Sequence, residues 1–222
     1  MELDLELYRR DVLIPDSPPV RLSLIDISPE KPEQTLLFIH GFGGQATQWQ
    51  YQLDTFSKSN RVLGLDLRGH GHSEAPPRGY EMKGILRDIH TALEQSEVNE
   101  KITLIGHSFG GAIAADFSIT YPDRIERLIL IATPIKYRLN WFFRTGLRLP
   151  SYLLGAITPF TRSWLGAPPA ILKSFYNANM KTWDGVARFN LVNHPTLIIR
   201  GDRDRVFERP AFEEVEGQIA GA

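Results

Sequence analysis

The chain has 222 residues and no cysteine. That excludes disulfides, thiolate catalysis and cysteine-held metals, and it fits a reducing compartment. No run of about 18 consecutive apolar residues occurs, so no membrane-spanning helix is expected. An excess of either charge is also missing. The 25 Lys and Arg against 26 Asp and Glu leave a net charge of −1, which argues against nucleic acid as a partner. The opening stretch, MELDLELYRRDVLIP, has neither the basic start nor the apolar run of a secretory signal. A cytoplasmic location is the expectation that follows.

What is present reads as one sizeable globular domain, with 42% hydrophobic and 23% charged residues. Five apolar runs, at 35–40, 61–67, 101–107, 124–133 and 195–201, are mostly continuous rather than alternating. That pattern predicts parallel strands covered on both faces. Between them MKGILRDIHTALEQ (82–95) places Met82, Ile85, Leu86, Ile89 and Leu93 on one helical face, with Lys83, Arg87, Asp88 and Glu94 elsewhere. Strands alternating with helices predict an α/β fold. LELYRRDVLI and VRLSLIDI alternate better and predict an antiparallel hairpin at the sheet's edge.

Residues 134–183 break this rhythm. They hold ten of the chain's 23 aromatic residues, seven basic residues and no acidic one, while the remainder carries 18 basic and 26 acidic residues. The division expected is a core of 1–133 and 184–222 with an aromatic, basic lid inserted at 134–183. Several uses of the lid stay open. Its aromatics line an apolar acyl pocket, or they form only the lid's own small core. Its mixture of Trp, Phe, Leu and Arg suits peripheral contact with an anionic membrane. Its positive charge also suits a carboxylate-bearing substrate.

LIGHSFGGAIAADF (104–117) carries the chemistry. A strand meets Gly106-His107-Ser108-Phe109-Gly110, a G-x-S-x-G turn, and a helix follows. Such a turn forces the serine toward strained angles and points the free amides of a helix N-terminus at the spot where an oxyanion would form. The plainer reading is a turn serine that caps the helix. No G-x-G-x-x-G or P-loop lysine is present, so a nucleotide role is disfavoured. No cofactor and no metal are expected.

With these residues in hand, the chain from about residue 20 onward, the divergent lid apart, resembles the α/β-hydrolase superfamily in its esterase, lipase and meta-cleavage-type branch. HGFGG (40–44) resembles the family's oxyanion loop, DLRGHGHS (66–73) its D-x-R-G-H-G-x-S loop, and RGDRDRV (200–206) its acid-bearing loop. The resemblance implies an α/β-hydrolase fold and Ser108 as nucleophile. It implies Asp204, in preference to Asp202, as the acid, with the backbone N–H groups of Phe42 and Phe109 as the oxyanion hole. A serine at 108 argues against the dehalogenase and epoxide-hydrolase branches, which form an ester on a carboxylate. An acyl-serine suits esters, thioesters, amides or activated C–C bonds, and the composition of the lid suits a small or lipid-like acyl substrate.

The family's order of serine, acid and then histidine fails here. His40, His70, His72, His90, His107 and His194 all precede Asp204. The expectation is therefore an incomplete copy of a family member, lacking the final strand and histidine. The alternatives are a domain completed by another chain and a non-catalytic, binding-only relative. Little hydrolysis is expected of the chain alone, since losing one triad member removes roughly 10⁴ to 10⁶ of rate. The 195–201 strand is expected to form a bare sheet edge, with self-association as its consequence.

Overall fold

The computed structural model describes residues 3–137, Thr145, Arg148, Pro150, Leu153, 165–202, Asp204 and 210–222. Seven strands form one sheet in the order β1-β2-β4-β3-β5-β6-β7. The expected hairpin is β1 (Arg9–Ile14) with β2 (Val20–Ile27), antiparallel and at one edge. β2 runs antiparallel to β4 (Arg61–Leu65). From there β4, β3 (Thr35–Ile39), β5 (Ile102–His107), β6 (Ile125–Ile131) and β7 (Thr196–Ile199) are all parallel. This is the α/β-hydrolase fold expected from the motifs.

The continuous apolar runs have their predicted cause. Every residue of β3 is buried, because helices cover both faces at the sheet's centre. One face packs under α1 (Gln50–Phe56), with Phe38, Trp49, Leu53 and Ile105 in a single cluster. The other face packs under α2 (Met82–Gln95) and α3 (Phe109–Thr120), where Leu37, Ile39, Ile85, Ile89, Leu104 and Phe117 meet. α4 (Pro169–Phe175), α5 (Gly185–Phe189) and α6 (Pro210–Glu216) are the remaining described α-helices, and a π-helical stretch, Tyr176–Met180, continues α4. None of the described helices is long and apolar enough to cross a membrane.

Two local readings change. Asp88, placed by its periodicity off the apolar face of α2, is only 1% exposed. Its carboxylate takes two hydrogen bonds from Arg68, a guanidinium as deeply buried. A long-range partner thus reverses the polar assignment. Leu5–Tyr8 form a 3₁₀ turn rather than the start of β1. The Asp4 side chain accepts from the Glu6 N–H, a local bond that competes with strand pairing.

The flanks of the 134–183 segment belong to the main core. Ile135, Tyr137, Phe175, Met180 and Trp183 are buried in the same cluster as α2 and α3. Its middle, 138–164, lies outside the described residues except for Thr145, Arg148, Pro150 and Leu153, all four exposed.

Among the described residues β7 is an edge strand. Its Leu197 and Ile199 are 55% and 43% exposed, beside the half-buried Ile129 and Ile131 of β6 on the same face.

Candidate active site

The sheet order reverses at β3, with β4 on one side and β5 on the other. In open α/β sheets the crevice beyond the strand ends at such a switch point is the usual ligand site. The loop after β3 and the turn after β5 both leave the sheet there, in register through Ile39 and Gly106.

Ser108 sits on that turn with φ 51° and ψ −120°, in the left-handed region that side chains avoid. Such a residue stores about 1–3 kcal/mol of strain and persists only when its surroundings hold it. Here the Ser108 N–H donates to the Ile131 carbonyl at 2.8 Å. Its own carbonyl accepts from the Gly111 N–H at 2.9 Å and from the Tyr137 hydroxyl at 2.8 Å. Burial holds the Tyr137 phenol well above its ordinary pKa, so it remains a donor. Two close backbone approaches fix the rest. A Cβ on Gly110 would meet the Ile39 carbonyl and stand 2.6 Å from that of His40, so α3 can press against the end of β3 only through a glycine. A Cβ on Gly41 would lie 3.2 Å from the Ser108 Cβ, which brings the loop after β3 directly against the nucleophile turn.

The capping reading of Ser108 fails on geometry. The residue occupies the N-cap position of α3, yet its side chain makes no capping hydrogen bond. The residue is half-buried, and among the described residues its hydroxyl has no hydrogen-bond partner. As the first residue of α3, Phe109 has an amide with no intrahelical acceptor. Phe42 lies in the loop next to Gly41, its side chain against Phe175 with ring centroids 6.1 Å apart. Ser108, Phe42 and Phe109 are therefore brought together.

Asp204 arrives from the other side. His107, Ile131 and Ile199 are aligned across β5, β6 and β7, so the loops after β5 and β7 leave the sheet at one level. Asp204 is half-buried in the loop after β7, its N–H donating to the Gly201 carbonyl at 3.3 Å. Its charge acts on the His107 imidazole, whose pKa burial lowers and Asp204 partly restores.

The other histidines have structural work. His40 is fully buried, with Nδ1 donating to the Gly41 carbonyl at 2.8 Å and Nε2 accepting from the Leu67 N–H at 3.1 Å. Both nitrogens are used, and they tie the loop after β3 to the loop after β4. Burial pushes its pKa down to about 4. His70, equally buried, lies 5.1 Å from the His40 ring and edge-on to Phe175, and burial lowers its pKa to about 3. The 66–73 loop is a brace. Asp66 accepts from the N–H groups of Ala46 at 2.7 Å and His72 at 3.0 Å, and from Arg9 at 3.1 Å. His72 is exposed near Glu6, His90 stacks on Tyr121, and His194 bonds the Pro122 carbonyl.

One wall of the site is aromatic. Phe109 meets Tyr137 at 4.9 Å and Phe175 at 5.5 Å. Leu165 and Leu172 come within 3.7 Å of a Cβ built on Gly43, and the Gly166 N–H donates to the Gly43 carbonyl at 2.7 Å. The returning end of the 134–183 segment is thus pinned to the loop after β3. Tyr137 was the contributor hidden from sequence reasoning. It lies beyond the end of β6 with no motif around it, and only the fold lays its hydroxyl on the Ser108 carbonyl.

Comparison with known proteins agrees with this architecture. A family model described as "alpha/beta hydrolase fold" matches residues 34–156. Human epoxide hydrolase 4 is 37% identical over 127 residues, 56% of this chain and 34% of that protein. Bovine (lyso)-N-acylphosphatidylethanolamine lipase is 35% identical over 111 residues, 48% of this chain and 32% of that protein. The chain spans about a third of the length of these curated relatives. An esterase from Exiguobacterium antarcticum superposes with a TM-score of 0.77 at 20% identity, over 96% of this chain and 88% of that one, which shows the shared fold.

Proposed function

The chain belongs to the alpha/beta hydrolase fold family, and we propose that within it the protein is a serine hydrolase acting on an ester or related acyl bond. The observation that carries this reading is Ser108 itself, a strained residue whose hydroxyl is not spent on capping and which abuts Gly41 at the switch point of the sheet. In the reaction Ser108 Oγ attacks a substrate carbonyl and its proton passes to water or to an added base, because no imidazole among the described residues bonds the Ser108 hydroxyl. Acylation by the chain alone is accordingly slow. Negative charge gathers on the former carbonyl oxygen, facing the amides of Phe42 and Phe109. The alcohol leaves with a proton, and water then releases the acid from the acyl-serine. Asp204 is the acid that would orient a histidine base in a family member that has one. The aromatic wall of Phe109, Tyr137 and Phe175 favours an apolar acyl group.

The lipase among the relatives favours an acyl substrate, and the epoxide hydrolase favours a different chemistry. Ser108 supports the acyl reading, because opening an epoxide through a covalent ester requires a carboxylate where this chain has serine.

The test is acyl transfer. Incubation with p-nitrophenyl butyrate and with p-nitrophenyl laurate is expected to leave the corresponding acyl mass on the peptide carrying Ser108, and none on the Ser108→Ala variant. Acylation elsewhere, or equally in the variant, contradicts the reading and leaves a binding-only relative as its replacement.

The membrane contact of 134–183 is part of the same proposal. Arg148 and Leu153 are exposed there, while Arg144 and Arg162 lie outside the described residues. Binding to phosphatidylserine vesicles at low salt is expected, and is lost when Arg144, Arg148 and Arg162 become Glu, at about 1 kcal/mol for each basic side chain removed. Absence of vesicle binding in the unaltered chain ends this part of the proposal.

A further inference from the structure

The carbonyl of Ser108 and the N–H of Phe109 are the two ends of one peptide group. The group is planar and conjugated, so what binds its oxygen is felt at its nitrogen. A hydrogen bond received by the carbonyl draws electrons toward oxygen, and the N–H at the other end becomes a stronger donor. Here the carbonyl receives two. The Gly111 N–H donates to it at 2.9 Å, from the first turn of α3. The Tyr137 hydroxyl donates to it at 2.8 Å, from beyond the end of β6.

The surroundings of Tyr137 keep that second donor in place. Its buried ring packs edge-on against Phe109 at 4.9 Å and against Trp183 at 5.5 Å. Trp183 is itself held, its indole N–H donating to Asp116 Oδ2 at 3.2 Å and its ring lying 5.3 Å from that of Phe189. Burial, with a smaller push from the charge of Asp116, holds the phenol well above its ordinary pKa, so it keeps its proton at neutral pH. A phenylalanine would pack in the same way, and the hydroxyl is what the packing does not require. At the far end of the peptide, the Phe109 N–H is a helix-initial amide with no intrahelical acceptor. A strengthened donor kept free of the helix suits a charge that arrives with the substrate.

We propose that Tyr137 is a positioning residue for the oxyanion, orienting and polarising, through the Ser108 carbonyl, the peptide that presents the Phe109 N–H. The inference rests on the serine-hydrolase reading. Tyr137 acts through the backbone rather than on the substrate, and it gives the entry of the 134–183 segment a hold on the reacting site.

The test is Tyr137→Phe in the full chain, with imidazole at one fixed concentration as the base. A fluorophosphonate bearing P=O and its counterpart bearing P=S are compared by intact mass. With either probe, Ser108 Oγ bonds to phosphorus, fluoride leaves, and the hydroxyl proton passes to imidazole. Negative charge gathers on oxygen in the first case and on sulfur, a weak hydrogen-bond acceptor, in the second. Deleting an oxyanion donor outright costs about 10²–10³ in rate, and weakening one is expected to cost about tenfold. Tyr137→Phe should therefore slow the P=O probe about tenfold and the P=S probe by less than about twofold. The half-saturating concentration of each probe should stay the same. A brace that only kept the turn in shape would slow both probes alike. The amide nitrogen resonance of Phe109 reports the polarisation without any reaction, and should move upfield in the variant. The Gly111 N–H still satisfies the carbonyl, so a cooperative urea transition is expected to persist. If the unaltered chain takes no label at Ser108, the serine-hydrolase reading itself fails. If Ser108 labels, then equal slowing of both probes, no slowing, an unmoved Phe109 resonance or loss of the urea transition overturns this inference and leaves that reading standing.

Discussion

At the centre of the sheet every residue of β3 is buried, whereas β7 at the edge alternates half-buried Thr196 and Ile198 with exposed Leu197 and Ile199. The two regions carry the two halves of the candidate site. The candidate nucleophile Ser108 and the amides of Phe42 and Phe109 sit at the centre, and the candidate acid Asp204 lies in the loop after the edge strand. The centre over-determines its backbone. Gly110 touches the carbonyls of β3, the carbonyl of Ser108 takes two hydrogen bonds, and His40 uses both ring nitrogens to hold one loop to the next. Such redundancy is what a strained φ of 51° needs in order to persist. Packing therefore fixes the position of Ser108. At the edge, Leu197 and Ile199 leave one face of β7 exposed among the described residues.

The contrast is broken most sharply by matched glycine substitutions. Gly110→Val places carbons into the carbonyls of Ile39 and His40, and is expected to cost more than about 4 kcal/mol, so that no cooperative urea transition remains. Gly201→Ala, in the loop that carries Asp204, meets nothing among the described residues within 4 Å, and is expected to leave stability unchanged or raise it by up to about 1 kcal/mol. Similar losses at both positions would refute the difference.

Acid is the next largest probe. His40 and His70 are neutral in the fold, with pKa values lowered from 6.5 to about 4 and about 3, and they bind protons readily only on unfolding. Their stabilisation is complete above about pH 6.5 and is lost as the pH falls toward those lowered values. His40 alone accounts for about 3 kcal/mol of that loss. Urea titrations at a series of pH values check the slope.

Strain at the centre gives a smaller effect with an unusual sign. Ser108→Gly is expected to be more stable than Ser108→Ala by about 1–2 kcal/mol, the reverse of the ordinary order, because only glycine accepts this conformation freely. The ordinary order would mean that the turn is relaxed.

At the edge the expected change in stability is smallest. Leu197→Lys should alter it by less than about 1 kcal/mol while raising the concentration at which the chain self-associates by about tenfold in sedimentation experiments. Identical sedimentation of the two proteins would mean that β7 is not a contact surface.

Much of this contrast was legible in the sequence, because it rests on short-range patterns. The continuous apolar run at 35–40 announced a doubly covered strand, and Gly106 to Gly110 announced the turn. The alternation of VRLSLIDI announced an edge hairpin. What stayed hidden depends on partners distant in the chain. Asp88 is charged and sits at a position that periodicity assigns to solvent, yet Arg68 draws it inside. The hydroxyl of Tyr137 likewise acquires meaning only when the residues beyond β6 are brought against the start of α3.

The central claim is that Ser108 is a nucleophile positioned before two amides, and chemical rescue tests it most directly. Among the described residues no imidazole bonds the Ser108 hydroxyl, so free imidazole can serve as the base. Intact-mass measurement of fluorophosphonate labelling should show a single modification at Ser108, at a rate that rises with imidazole concentration and vanishes in Ser108→Ala. Labelling indifferent to imidazole, or persisting in Ser108→Ala, would contradict the account.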